Sequence, residues 1–463
     1  MTGGVNRAIG LGFWMSSKDL YGLGEREASS FALSTNGDLY ELWAFDSPHE
    51  PNKNNGLYGN MPHVQGVDAQ TAEAFTWVNS AHTWCWLNDD TTYQGGTNVY
   101  MVSETGALEV FIYSSAIKNS GTDLNRNKRM QYDLSTITGF APMPPLHTLG
   151  FHFSKYDYVS ADIIMERNRN FTDFQFPVDV LVMDIQWADK DGADDGYEYF
   201  QFNPQNFTET DLAKMNDEVK SEGRYMTTIL DPHIKVSDDY FVYSDGKAME
   251  SQSTESNIFI KDVDGGTDFE GTCWPGNSVW VDFLNDAAMN YWSGLYDYGK
   301  FKGSTSIYHA WNDMNEPSVF STDTKTIPTN AKHVRTSGES VEHREFHNAY
   351  GATQQMASYK GLTDRDAQSL RPFVLTRSFF LGSQKWGAYW TGDNYAVDAE
   401  VHGAVKMIMQ NGIGGNVFGG ADIPGFIGEP SQSMWVRMYQ TGMYFPFFRA
   451  HCDINNTKRE PWI

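Results

Sequence analysis

After Pro142, Pro144 and Pro145, which together forbid helix and sheet ladder alike, the chain becomes an alternation of short apolar runs and amphipathic segments. The runs fall at 146–155, 179–185, 225–234, 306–314, 371–378, 387–393, 413–422 and 444–451. Apolar runs of this length, bounded by turn residues and separated by helical patterns, predict parallel strands. Eight is the number that a closed β/α barrel needs. Some of the intervening helices are legible. Thr208 and Asp211 form a capping pair, Leu212, Met215 and Val219 share a face, and Gly223 stops the helix. Met289, Trp292 and Tyr296 mark a second helix running to Gly303, and Val401, Ala404, Val405 and Ile408 a third running to Gly412. Two connections break the rule. Only 379–386 separate the fifth and sixth runs, fewer than the dozen or so residues that a parallel crossover takes. The stretch 235–285 is too long for a loop and reads as a subdomain inserted after the third strand.

Residues 1–141 have a different texture. Leu108, Val110 and Ile112 alternate with Glu109, Phe111 and Tyr113, and Gly, Asn and Asp clusters punctuate the rest. The expected fold class is therefore α/β: a (β/α)8 barrel over 142–463, preceded by an all-β domain. A chain of 463 residues is also too long for one core. The net charge of -25 argues against nucleic acid and anionic lipid as partners. No run approaches 18 apolar residues, so no membrane insertion is expected. Cys85, Cys273 and Cys452 lack metal-ligand spacing and form no disulfide framework. The start, Met-Thr-Gly-Gly-Val-Asn, shows no signal peptide, while sequons at Asn170, Asn206 and Asn455 permit a secretory location. Aromatic residues make up 14%, which suits either a large core or the flat faces of sugar rings.

The fourth run ends in Trp311-Asn-Asp313-Met314-Asn-Glu316-Pro317. A strand that stops at a carboxylate is how a parallel barrel presents chemistry; the competing reading is that Asp313 or Asn315 caps a helix. The sixth run ends in Trp390-Thr-Gly-Asp393-Asn394, where Asp393 reads equally as a turn residue. Hydrolysis of an acetal takes two such carboxyl groups.

Together these motifs resemble glycoside hydrolase family 31, in register over residues 20–463. Tyr-Gly-Leu-Gly-Glu-Arg at 21–26 is similar to a segment of the family's β-sandwich, which implies that 1–141 is a β-sandwich-like domain shortened at its amino end. The resemblance implies that Asp313 is the nucleophile and Asp393 the acid/base. It also implies a first-sugar pocket built from Asp184, Ile185, Ile234, Trp274, Trp311, Met314, Trp390, Phe426 and His451. Arg377 is expected beside the carboxylates, where a fixed guanidinium would keep the nucleophile ionised. Glu316, Asp422 and Arg449 are expected as support. Pro424 stands where the family usually has Gly or Cys, and Lys155-Tyr156 where it usually has Arg-Trp.

Asp-Pro-His-Ile-Lys at 231–235, Cys-Trp-Pro-Gly at 273–276 and the tail Thr457-Lys-Arg-Glu-Pro-Trp462 resemble the neutral α-glucosidase and glucosidase II α-subunit group of the family. That implies a retaining exo-α-glucosidase acting on oligosaccharides or N-glycans without metal or organic cofactor. It also implies the endoplasmic-reticulum lumen or another secretory compartment, and an accessory β subunit. The alternatives are an α-xylosidase or other α-glycosidase of the family, and a non-catalytic sugar-binding remnant. Only twelve residues follow His451, and the family continues with a helix and further β domains. The expectation is of a barrel truncated after strand eight, a fragment or incomplete gene model that leaves Phe447, Leu146 and Leu149 partly uncovered.

Overall fold

The computed structural model describes residues 8–49, 55–68, 71–92, 95–116, 126–188, 196–253, 256–457 and 459–463. Residues 1–7, read above for a leader, lie outside these, as do 254–255 of the expected insertion and Lys458 of the tail motif.

The barrel strands are Phe151–Phe153, Val180–Met183, Tyr225–Ile229, Tyr308–Asn312, Val374–Thr376, Ala388–Trp390, a seventh in two pieces (Gly419–Gly420 and Asp422–Ile423), and Phe448–Ala450. Each pairs in parallel with its neighbours. The second piece of the seventh strand pairs with the eighth, and the eighth with the first, which closes the ring. Two glycines make that seam possible. A Cβ on Gly420 would lie 2.0 Å from the Phe447 carbonyl oxygen, and one on Gly419 2.1 Å from the Tyr389 ring.

Inward residues alternate along each strand, so the eighth strand stacks three layers. Phe447 joins His152 and Phe373 in an aromatic floor, with ring centroids 4.9 and 6.0 Å from it. Arg449 sits above, 4.5 Å from the Trp311 ring and 4.9 Å from that of Trp390, and is bonded to Asp422 at 2.6 Å. His451 tops the stack.

The strands are shorter than the apolar runs. At 146–149 the chain forms a 3₁₀ turn. Pro232 separates the third strand from His233–Lys235, which instead pairs with Gly276–Trp280. Within 413–422, Ile413 ends the helix Asp398–Ile413, and the strand starts only at Gly419. The helix Glu209–Ser221 matches its expectation, with the Thr208 side chain accepting from the Asp211 N–H. The next helix, Asp286–Gly294, ends well before Gly303. Phe447 is 1% exposed, inside the barrel rather than uncovered, while Leu146 and Leu149 are 84% and 49% exposed. Trp462 packs edge-on against Phe171 and stacks on Phe174.

After the third strand, the helix Phe241–Gln252 and a three-stranded antiparallel sheet rise over the barrel mouth. The amino-terminal part forms two four-stranded antiparallel sheets that share a core of Met15, Leu42, Val64, Phe75, Trp77, Leu87, Val99 and Met101. It is not all β. Arg126–Thr138 is a helix that buries Met130 and Leu134 on one face. This helix also explains the short fifth crossover. Gln384, in the 3₁₀ turn Ser383–Lys385, donates to Thr138 Oγ1 and to the Gly139 carbonyl, both at 2.8 Å. Gln131 donates to Ile413 O at 3.0 Å. The earlier helix thus covers ground that a longer crossover would fill.

The two parts are bolted together by Asn348. Its amide nitrogen donates to Leu42 O and Ala81 O, and its oxygen accepts from the Ala44 N–H and from Asn60 Nδ2. His347 adds a bond to Ala44 O at 2.7 Å and stacks on Trp43. Asn348→Ala removes a partner from three buried groups, the Ala44 N–H, Asn60 Nδ2 and Leu42 O, while Ala81 O keeps the Thr83 hydroxyl. At about 1 kcal/mol or more each, it should lower unfolding free energy by about 3 kcal/mol or more and split the denaturant transition in two. Tryptophan fluorescence across guanidinium titrations reads this out; a single unshifted transition would show that the bolt carries little.

Candidate active site

The carboxyl ends of the strands converge on Arg377, which follows the fifth strand and is 2% exposed. Its Nε and Nη2 donate to the two oxygens of Glu316 at 2.7 and 2.9 Å. Nε also lies 2.9 Å from Asp313 Oδ1, Nη2 3.4 Å from Asp46 and Nη1 3.9 Å from Asp393. The guanidinium lies over the Tyr58 ring at 4.7 Å. One cation thus holds four carboxyl groups from three segments of the chain.

The loop after the fourth strand explains how Asp313 and Glu316 both reach it. Met314 takes a left-handed conformation (φ +56°), sparsely populated for a side-chain-bearing residue. Its N–H donates back to Asp313 Oδ1 at 2.8 Å. Asn315 staples the loop to the next strand end, donating to Thr376 Oγ1 and accepting from the Ser378 N–H. No helix begins at 313–317, which removes the capping reading. At the sixth strand the turn work falls to Asn394, which donates to Asp422 O and accepts from the Phe426 N–H. Asp393 is left facing the cavity.

That cavity, of about 340 Å³, is lined by Asp184, Ile185, Trp274, Trp311, Asp313, Met314, Arg377, Trp390, Asp393, Phe426 and His451. The structure therefore brings together these eleven of the residues named from sequence. Glu316, Asp422 and Arg449 lie buried behind the wall, where support was expected. Ile234 is the exception: it is absent from the lining, fully buried and paired with Val279. Its neighbour Pro232 bends the chain there into the antiparallel sheet, whose turn delivers Trp274 instead. Sequence reasoning gave no site role to Asp46, Phe320, Ile427 or Asp453, which also line the cavity, and named Tyr156 only as a departure. Asp46 comes from the amino-terminal part and is fixed by Ser318 Oγ at 2.8 Å. Nothing in the irregular stretch around it marks it out.

Burial raises the pKa of Asp313, and Arg377 and the Met314 N–H oppose it. Arg377 restrains the rise without reversing it. Asp393, with Arg377 a full ångström farther away, is pushed by burial well above the usual carboxylate range. Burial also raises Asp184 to about 7 and drives His451 well below its ordinary value. His451 Nε2 lies 3.4 Å from Asp184 Oδ2, and its ring stacks on Phe426 at 5.0 Å. Trp274 meets Tyr156 and Phe320 edge-on at the rim.

A second cavity of about 440 Å³ lies outside the barrel between Phe176, Trp435, Tyr439 and Phe448, but no carboxylate lines it. Among the described residues, the one group close enough to hold a metal is Glu27, His49 and Glu400. It is not part of the cavity wall.

The profile of the glycosyl hydrolases family 31 TIM-barrel domain matches residues 141–463, and that of the glycosyl hydrolase 31 N-terminal galactose mutarotase-like domain matches 11–85. Neutral alpha-glucosidase C of Mus musculus is 36% identical over 98% of this chain and 50% of its own length. Glucosidase 2 subunit alpha of Schizosaccharomyces pombe is 32% identical over 96% of this chain and 46% of its own. The chain thus spans about half the length of the curated relatives it matches. A crystal structure of glucosidase II alpha subunit, alpha3-Glc2-bound, superposes with TM-score 0.89 at 32% identity, covering 99% of this chain and 48% of that one. With the barrel profile matching more than half of its residues, the chain belongs to glycosyl hydrolase family 31.

Proposed function

We propose that this chain carries the catalytic site of a retaining exo-α-glucosidase, with Asp313 as nucleophile and Asp393 as acid/base. The observation that carries the reading is the pair of carboxyl groups on either side of Arg377 in a single aromatic-walled cavity. The cavity's size is within the range of small-ligand sites, roughly 300–1,000 Å³. Asp313 Oδ1 is held by Met314 N–H and Arg377 Nε, so Oδ2 is the oxygen free to attack the anomeric carbon. The two environments push the pair apart in the sense that acid and base roles need: the carboxyl group closer to the cation ionises first, and the other keeps its proton. Asp393 then donates that proton to the leaving oxygen as Asp313 forms a β-glucosyl ester. Once ionised, Asp393 takes a proton from the attacking water, and the ester bond breaks with net retention. Asp184 and neutral His451 suit sugar hydroxyls, one accepting and the other donating or accepting.

The relatives' names support α-linked glucose as the cleaved residue, and the alpha3-Glc2 in the superposed structure, with a probable glucan 1,3-alpha-glucosidase of Arabidopsis thaliana among the relatives, favours an α-1,3 bond. An accessory subunit is proposed on the likeness to an ER glucosidase II complex containing the binding domain of a regulatory subunit, and a secretory compartment on the same ground. The division of the chain at residues 141 and 142 belongs to the same proposal, supported by the prolines that follow it.

Two measurements test the mechanism. NMR of the first-formed sugar should show α-glucose; an initial β anomer would exclude retention. Asp313→Ala should abolish turnover on every glucoside, whereas Asp393→Ala should spare substrates whose leaving group departs without a proton, against a loss of about 10²–10⁴ on ordinary disaccharides. Because Asp393 must carry a proton, kcat/KM should fall as pH rises through its pKa. That alkaline limb should vanish in Asp393→Ala assayed with an activated glucoside. Equal losses on both substrate types, or a limb that persists, would reverse or remove the assigned role.

A further inference from the structure

Asp393 stands on a short loop rather than on a strand, and a general acid on a loop needs a rigid backing. The barrel supplies part of it through Asn394. The rest comes from the amino-terminal domain. The His49 backbone N–H donates to Asp393 O at 3.1 Å, and its ring Nε2–H donates to Thr391 O at 2.5 Å. One residue therefore grips the loop on both sides of Gly392. Tyr58 takes the Asp393 N–H on its hydroxyl at 3.2 Å, and a Cβ on Gly392 (φ +77°) would lie 2.0 Å from the Tyr58 ring. The loop is laid directly against the neighbouring domain.

The His49 ring is itself fixed. Nδ1 lies 3.3 Å from Glu400 Oε2, with both side chains fully buried, and Glu400 Oε1 accepts the Tyr395 N–H at 3.3 Å. Burial opposes a charge on His49, but the bonded Glu400 carboxylate outweighs it and holds the pKa at about 9. Both ring nitrogens then donate, one to each anchor. Glu25 and Glu27 flank the pair, pushed by burial to about 8 and about 7. With a proton on Nδ1, the space between ring and Glu400 is already bridged without a metal ion.

We propose that His49 is a positioning residue for the acid/base carboxyl group: a histidine of one domain, locked by Glu400 of the other, that fixes the Thr391–Asp393 loop at two points. This rests on the reading of Asp393 given above. His49 does not line the cavity, so its loss should weaken proton donation rather than binding or ester formation.

The test compares His49→Ala, His49→Gln and Asp393→Ala with the unaltered chain on a dinitrophenyl α-glucoside and on a glucosyl disaccharide. In His49→Ala, kcat on the disaccharide should fall about tenfold or more beyond any loss on the activated glucoside, with KM little changed. His49→Gln, whose amide can still donate to Thr391 O, should recover part of that selective loss. Equal losses on both substrates in His49→Ala and His49→Gln, beside a selective loss in Asp393→Ala, would overturn the proposal and leave Asp393 as assigned. If Asp393→Ala itself shows no selectivity, the reading of Asp393 fails, and the proposal with it. Should His49→Ala not fold, His49→Gln and Glu400→Gln carry the comparison, and equal losses on both substrates in these two would overturn it.

Discussion

A single buried guanidinium sets the terms for the whole upper half of the barrel. Four carboxyl groups crowd one Arg377 side chain, and a water-poor cavity does not sustain four negative charges on one positive one. Burial raises the pKa of Asp313, Glu316 and Asp393, and Arg377 opposes the rise in each. The packing below serves the same arrangement. Arg449 and Asp422 neutralise each other beneath the tryptophans, so the layer under the cavity adds no net charge to that balance.

The site is a joint product of two folds. The barrel contributes strand ends, but Asp46, Tyr58 and His49 all come from the segment that follows the third sandwich strand. That segment is held by buried hydrogen bonds to Asn348 and His347 rather than by strand pairing. Among its described residues, the Ala44, His49 and Asn60 N–H groups find partners in the barrel at Asn348, Asp393 and Phe379.

This explains what was legible in the residues and what was not. Asp313 and Asp393 each end an apolar run, yet a helix cap and a turn competed there, and the resemblance to family 31 gave them their roles. Arg377, Asp184 and His451 were likewise named from that resemblance. Asp46 has no such frame: no periodicity surrounds it, and Ser318, which anchors it, is 272 residues away. Strand lengths were overread because apolar side chains continue past the last ladder bond into the loops. Pro232 ended the third strand where the run of hydrophobic character did not. Phe447 was expected to want the cover of a helix after strand eight; the period-2 register of its strand puts it in the floor instead.

The helix Arg126–Thr138 has a consequence for how the molecule is made. It closes the wall beside a crossover that lies 246 positions later in the chain. During synthesis from the amino end it emerges long before Gln384 exists, with Leu134 and its neighbours unable to reach their final partners. The helix waits on the sandwich until the fifth-to-sixth segment, made 246 positions later, reaches it. Chains organised through such distant contacts close slowly, and until that moment the open flank is where a chaperone has its work.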